Sequence, residues 1–155
     1  MKIIAHRANL YGPDPEKENT LNRINECINL GFDVEIDLWL KNNTFFLGHD
    51  EAQNEIDLEQ ILSLSNKIWI HCKNIQVLEN FLNQPYGRQL NFFWHQKDSY
   101  TLTSQGFIWA YPGSKLSFHS IFVMPEWIIE KSNLFSLSNH NISGVCSDFP
   151  MIISK

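Results

Sequence analysis

The chain has 155 residues, is 43% hydrophobic and 13% aromatic, and carries a formal net charge of −5. That size fits one domain over residues 1–155, with enough apolar residues for a real core. The acidic balance, with no Lys/Arg run, excludes non-specific nucleic-acid binding, and no apolar stretch approaches the ~20 residues that span a bilayer.

Met1 to Ala5 offers too short an apolar core for a secretion signal, and charge follows at once. Cys27, Cys72 and Cys146 are odd in number and far apart. They have neither zinc-ligand nor disulfide spacing and read as core thiols in a reducing cytoplasm, the expected location.

In chain order, Lys2 to His6 reads as a buried strand, and Tyr11 to Lys17, with Gly12, Pro13 and Pro15, as a loop. Thr20 or Asn19 caps a helix whose apolar face is Leu21, Ile24, Cys27, Ile28 and Leu30, ended by Gly31. Asp33 to Leu40 alternates, with Val34, Ile36, Leu38 and Leu40 on one face and Glu35, Asp37 and Trp39 on the other. After a turn at Lys41-Asn42-Asn43, Thr44 to Leu47 returns as a strand. Ile56 to Leu64 suggests a helix with Asp57 near its start. Lys67 to Lys73 is a strand, and Ile75 to Leu82 a helix stopped before Pro85. Leu90 to His95, Phe107 to Tyr111 and Ser120 to Met124 read as strands, and Glu126 to Leu137 as a helix after Pro125. Gly144 to Ser147 is the last strand, closed by Asp148-Phe149-Pro150.

Strand and helix in alternation predict an α/β fold with a parallel sheet. The joins from Gln96 to Phe107 and from Pro112 to Ser120 are too short for a crossover of a dozen residues or more with its helix. Some outer helices are therefore reduced to turns, and the chain is well short of the ~250 residues of a complete eight-unit barrel.

Active sites of parallel barrels sit at the C-terminal ends of the strands. Polar residues gather there: His6-Arg7, Glu35 and Asp37, Gly48-His49-Asp50, His71 and Lys73, His95-Gln96, and Asp148. Burying each of these charges unpaired costs several kcal/mol, whereas in one polar cavity around a cation they satisfy one another. Each also has a structural reading. His6 fits a hydrogen-bonded core histidine, Glu35 and Asp37 the wet face of an edge strand, Lys73 a surface partner of Glu79 or Asp50, and Asp148 the cap of a helix from Pro150. His119 and His140 are placed outside the site.

In order and spacing these residues resemble the glycerophosphodiester phosphodiesterase family, within the phospholipase-C-like phosphodiesterases. That family ends its first strand in His-Arg, as in His6-Arg7, and sets Glu-Asn-Thr before the first helix, as in Glu18-Asn19-Thr20. A Gly-x-Asp-x-(Val/Ile)-Glu-x-Asp strand follows, matched with one residue fewer by Gly31 to Asp37. Then comes His-Asp after a hairpin, as in His49-Asp50. Its last strand reads Gly-(Ile/Val)-x-(Thr/Ser)-Asp-x-Pro, as in Gly144 to Pro150. From about Asn83 to Asn141 the likeness lies in the strand pattern alone.

The resemblance implies a reduced TIM-type (β/α) barrel with several outer helices shortened or missing. It also implies a metal-dependent phosphoric diester hydrolase of lipid metabolism, acting on a glycerophosphodiester-like or larger, small-molecule or lipid-derived phosphodiester. It makes His6 and His49 the general acid/base pair, with a neighbouring substrate hydroxyl attacking first to give a cyclic phosphate. Glu35 and Asp37 become ligands of a divalent cation, Mg²⁺ or Ca²⁺. Arg7 and Lys73 become phosphate-binding groups, Glu18 a carboxylate that orients Arg7 or His6 from behind, and Asp148 a further carboxylate behind the site.

The sequence departs from the family in three places. The third strand normally reads Ile-Glu-x-Lys, its glutamate a third metal ligand, but here it is Ile70-His71-Cys72-Lys73. His71 at that position shifts preference toward Mn²⁺ or Zn²⁺. Ala8 stands where the family has glycine after His-Arg. The substrate-capping insertion is missing, which predicts an open site. Two readings follow: a small metal-dependent phosphodiesterase, or a catalytically inactive phosphoryl-ligand-binding protein on the same fold. His71 discriminates between them.

Overall fold

The computed structural model describes residues 1–155. Its sheet is built outward from β1 (Lys2–Ala5), which lies between β10 (Gly144–Ser147) and β2 (Asp33–Lys41), parallel to both. Beyond β10 come β9 (Ser120–Val123) and β8 (Ile108–Ala110), again parallel. Beyond β2 come β5 (Ile68–Cys72) and β6 (Asn91–Phe93), also parallel. The outer half of β2 turns back through an antiparallel meander of β3 (Thr44–Leu47) and β4 (Asn54–Ile56). Asn42 and Asn43, at φ 50° and 65°, make the two-residue turn, because asparagine tolerates the left-handed backbone that a primed hairpin turn needs. β7 (Tyr100–Leu102) pairs antiparallel with β8 and ends the sheet.

The sheet curls, and the side chains prove it. Phe93 on β6 lies 4.6 Å from Trp109 on β8, ring centroid to centroid, and Trp69 on β5 lies 5.8 Å from Trp109. These strands are far apart along the sheet, so the rings meet only if its two ends bend toward each other. Ile4, Ile121, Val123 and Cys146 complete this interior cluster. The ends approach at β6 and the chain after β7. There Ser104 N–H donates to the Phe92 carbonyl at 2.8 Å, and Phe92 N–H donates to Ser104 Oγ at 2.9 Å. Thr101 Oγ1 also donates to the Trp94 carbonyl at 2.8 Å. No regular ladder joins β6 to β7, so the result is an α/β fold with a curled sheet.

Helices cover the outer face of one half. α1 (Leu21–Asn29), α2 (Leu58–Ser63) and α3 (Ile75–Asn83) bury Ile24, Ile61 and Phe81 against Val34, Ile36 and Leu38 of β2. Polar side chains start them: Thr20 accepts the Arg23 N–H, Asn74 the Val77 N–H, and Gln60 the Asp57 N–H. Over β9 and β10 the cover is thinner. It consists of a 3-10 segment, Lys131–Asn139, and the short α4 (Pro150–Ile153), around Phe122, Val145 and Leu134.

Several sequence expectations need correcting. The first strand stops at Ala5, because His6–Ala8 forms a single 3-10 turn. Ile56 belongs to β4, and α2 begins only at Leu58. β5, β6 and β8 are shorter than expected, which leaves Lys73, His95 and Tyr111 just past the strand ends. The short antiparallel β4 and β7 carried no sequence signal of their own. The helix expected over Glu126–Leu137 is instead two 3-10 stretches, Pro125–Trp127 and Lys131–Asn139. The second is rich in Ser and Asn, and Ser136 and Ser138 hydroxyls bond the carbonyls of Asn133 and Phe135, drawing the backbone away from α-helical pairing. No helix is long and apolar enough to cross a membrane.

Candidate active site

On β2 the residues at odd positions point into the curl. At one end Asp33 is closed off by Lys2 at 3.0 Å, Lys67 at 3.1 Å and the Trp69 indole N–H at 3.2 Å. Two residues on is Glu35, and two further is Asp37, at the rim of a cavity of about 330 Å³. Both are buried, 2% and 1% exposed, on a strand with neighbours on both edges. The wet-face reading of these carboxylates therefore fails.

Asp37 collects nitrogen partners. Its Oδ1 lies 3.0 Å from His71 Nδ1 and 3.3 Å from Lys73 Nζ, and its Oδ2 lies 3.5 Å from Arg7 Nε. Asn19 clamps it further, donating Nδ2–H to Oδ2 at 3.0 Å and accepting the Asp37 N–H at 2.9 Å. Burial opposes ionisation, but His71, Lys73 and Arg7 outweigh it and hold Asp37 well below the usual carboxylate range. Lys73 thus points inward, not to Glu79 or Asp50. Glu35 has less support. Its Oε2 accepts the Arg7 N–H at 2.9 Å and stands 4.0 Å from His6 Nε2, and burial together with the Asp37 charge pushes its pKa up.

Two histidines share the cavity, each with a carboxylate behind it. His6 Nδ1 donates to Asp148 Oδ1 at 2.8 Å, and His49 Nδ1 donates to Asp50 Oδ1 at 2.7 Å. A carboxylate on Nδ1 fixes the tautomer and leaves Nε2 for other partners. Burial disfavours charge on His6, yet the Asp148 hydrogen bond and the Glu35 charge raise its pKa above the ordinary value. His49 is lowered by burial and by the positive charges of Arg7 and Lys73, which outweigh Asp37 and Asp50. Asp148 does not cap α4. It binds His6 and accepts the Asn9 Nδ2–H at 2.8 Å, while its own N–H donates to Glu126 Oε1 at 2.7 Å.

Local backbone geometry aims these groups. Arg7 and Ala8 hold φ 49° and 65°, and this sharp turn at the strand tip directs the Arg7 N–H to Glu35. Glu18 lies 3.5 Å from Arg7 Nη1 and accepts the Asn9 Nδ2–H at 2.9 Å. Gly48, at φ 148°, has no room for a Cβ beside the Glu51 carbonyl, so only glycine makes the bend that presents His49.

His6, Arg7, Glu35, Asp37, His49 and His71 thus border one cavity, as does Lys73, while Glu18 and Asp148 stand behind them. The sequence reading missed Asn9, Asn19 as a side-chain clamp, and Glu126. It also missed Tyr111, Met124 and Trp127, which line the far wall. Tyr111 and Met124 could have been found from their place at the ends of expected strands.

Glu35, Asp37 and His71 each present one ligand atom, all within 4.8 Å of one another. Ligands of one cation stand no farther apart than about twice the metal–ligand distance, roughly 4–5 Å, so the trio fits a divalent ion. The His71 Nε2–H donates to the His95 carbonyl at 3.1 Å, the outer bond that turns a histidine's other nitrogen toward a metal.

No protein-family model and no curated protein sequence matches the chain. In structure the chain is similar to a glycerophosphoryl diester phosphodiesterase from Parabacteroides distasonis, at a TM-score of 0.49 and 12% identity, over 99% of this chain and 84% of that one.

Proposed function

We propose that the protein is a divergent glycerophosphodiester-phosphodiesterase-type hydrolase, cleaving a phosphodiester by histidine acid/base catalysis. The observation that carries this reading is the pair of carboxylate-backed histidines, His6–Asp148 and His49–Asp50, facing one cavity with Glu35, Asp37, Arg7 and Lys73 between them.

Arg7 and Lys73 hold the phosphoryl oxygens, the guanidinium as a planar fork and the ammonium as a point charge. One histidine takes the proton of the incoming hydroxyl at Nε2 as its oxygen forms the new bond to phosphorus. The other gives a proton to the leaving oxygen as the old bond breaks. Asp148 and Asp50 hold the rings and stabilise the imidazolium that forms. Glu35, Asp37 and His71 would hold a divalent cation. Bound there, it would polarise the phosphoryl oxygen and offset the charge that develops on it. The carboxylates suit Mg²⁺ or Ca²⁺, and His71 favours Mn²⁺.

One observation favours a second reading. His71 Nδ1 and Lys73 Nζ already crowd Asp37 Oδ1, at 3.0 and 3.3 Å. These two nitrogens in place of the metal would leave a phosphoryl-binding protein without turnover. Phosphorus NMR of the protein with glycerophosphodiesters and lysophospholipids, in Mg²⁺, Ca²⁺ or Mn²⁺, decides. Turnover lost in chelator and in His6→Ala and His49→Ala establishes the hydrolase. A phosphorus signal shifted or broadened by binding, without product in any metal, establishes the second reading.

A further inference from the structure

The order of the strands divides the cavity. β1, β2, β5 and the loop after β3 bring the charged groups to one side. Segments following β6, β8 and β9 bring His95, Tyr111 and Trp127 to the other. The proposed chemistry uses none of these three rings. His95 stacks on Tyr111 with centroids 4.2 Å apart and planes at 20°. Tyr111 and Trp127 follow at 6.3 Å and 33°. His95 and Tyr111 therefore pack face to face, and Trp127 lies tilted beyond them at the open edge of the wall.

Trp127 lines the cavity yet is 64% exposed. The chain is held to place it there. Met124 adopts a left-handed backbone, φ 47° and ψ 51°, unusual for a residue of its size, and Pro125–Trp127 follow as a 3-10 turn. Glu126 ties that turn down, accepting the Ser147 hydroxyl at 2.9 Å and the Asp148 N–H at 2.7 Å. Beside the same wall, His95 Nδ1 is shielded from solvent and has no hydrogen-bond partner, and Gln96 adds a side-chain amide to the lining.

Resting on the phosphodiester reading above, we infer that His95, Tyr111 and Trp127 form an aromatic wall whose exposed ring, Trp127, stacks a planar heteroaromatic group of the nucleobase class, carried on one ester arm of the substrate. The exposed Trp127 ring offers a flat group one face to stack on, whereas a quaternary ammonium is held by aromatic faces that surround it. A hydrocarbon chain brings nothing to pair with the Gln96 amide in the lining, whereas the polar edge of a heterocycle brings donors and acceptors to it. The net charge of −5 argues for a small nucleoside-type diester, not a nucleic-acid polymer.

The test uses three methyl phosphodiesters that differ in the second alcohol: a nucleoside, glycerol and choline. Dissociation constants by calorimetry and rates by phosphorus NMR are measured for the unsubstituted protein, Trp127→Ala and Trp127→Phe, with circular dichroism to confirm folding. Base–aromatic stacking predicts that the nucleoside diester binds roughly tenfold or more tighter than the glyceryl one. That ratio falls to about one in Trp127→Ala and returns in Trp127→Phe. Equal binding of the nucleoside and glyceryl diesters overturns the wall, as does tightest binding of the choline diester or a ratio unchanged by Trp127→Ala. The two readings fail separately. Hydrolysis of all three diesters without nucleoside preference keeps the hydrolase and removes the wall. A Trp127-dependent nucleoside preference in binding, with no hydrolysis, keeps the wall and removes the hydrolase.

Discussion

Asp148 shows most directly how one side chain is tied to both chemistry and stability. It is 5% exposed and satisfies His6 and Asn9 at once. Asp148→Asn leaves the shape and removes the charge that holds the His6 ring, so turnover should fall about 10²–10⁴-fold with the fold kept, by kcat and circular dichroism. The same pair makes stability depend on pH. Burial opposes the Asp148 charge, but the His6 hydrogen bond and charge hold its pKa below the ordinary value, so its contribution is present above that value and lost as pH falls through the depressed one. His6 is raised, so its contribution is present below its ordinary value and lost as pH climbs through the raised one. In chelator, the gap in unfolding free energy between wild type and Asp148→Asn should be widest at roughly pH 5–6 and narrow on both sides. A gap that is flat from acid to alkaline pH would show that the pair is not linked to folding. His6 and Asp148 were legible in the sequence because each follows a short apolar strand, and Glu35 because it alternates with apolar residues along β2. Asn9 and Asn19 were not, because an asparagine in a loop looks the same whether it turns the chain or clamps a carboxylate.

At the scale of elements, two turns do different work and respond oppositely to substitution. The bend at Gly48 exists to present His49, and a Cβ there meets the Glu51 carbonyl. Gly48→Ala should cost about 1–3 kcal/mol in stability and lower kcat disproportionately, because the loop escapes the clash by moving His49. Denaturant unfolding and kinetics on one preparation check both effects. The β2–β3 turn carries no site residue. Asn43 sits there at φ 65°, where glycine is unstrained, so Asn43→Gly should stabilise the protein by up to about 1 kcal/mol and leave kcat unchanged. The strands of the first half were legible because β2 alternates cleanly over its nine residues. The three residues each of β4 and β7 are too few to show a period, and Glu126–Leu137 showed an apolar pattern while its serines and asparagines favoured 3-10 turns.

The whole molecule packs as three apolar clusters divided by one sheet: between β2 and the helices, inside the curl, and under the 3-10 segment at β9 and β10. Sequence showed a parallel α/β fold and too few residues for a full set of outer helices. It did not show how the ends of the sheet meet, because that join rests on Ser104 and Thr101, residues common in any loop. The thin join raises the question of whether the two halves unfold together, and the cysteines report on it. Cys27 and Cys72 belong to the helix-covered cluster, and Cys146 to the interior one. All three are free and buried, and burial pushes the Cys27 and Cys72 thiols up to about 12 and raises Cys146 as well. In native buffer none should react with a thiol reagent, because the thiolate is the reactive form and neither it nor the reagent has access. In rising urea, short of the unfolding midpoint, labelling requires opening, and each site reports the free energy of the opening that frees it. A single domain over residues 1–155 predicts that the three free energies converge on one line, with the slope of global unfolding. If Cys146 labels at lower urea than Cys27 and Cys72, with a shallower slope, the curl opens first at the join between β6 and β7. The protein would then be a stable helix-covered half carrying a looser aromatic one.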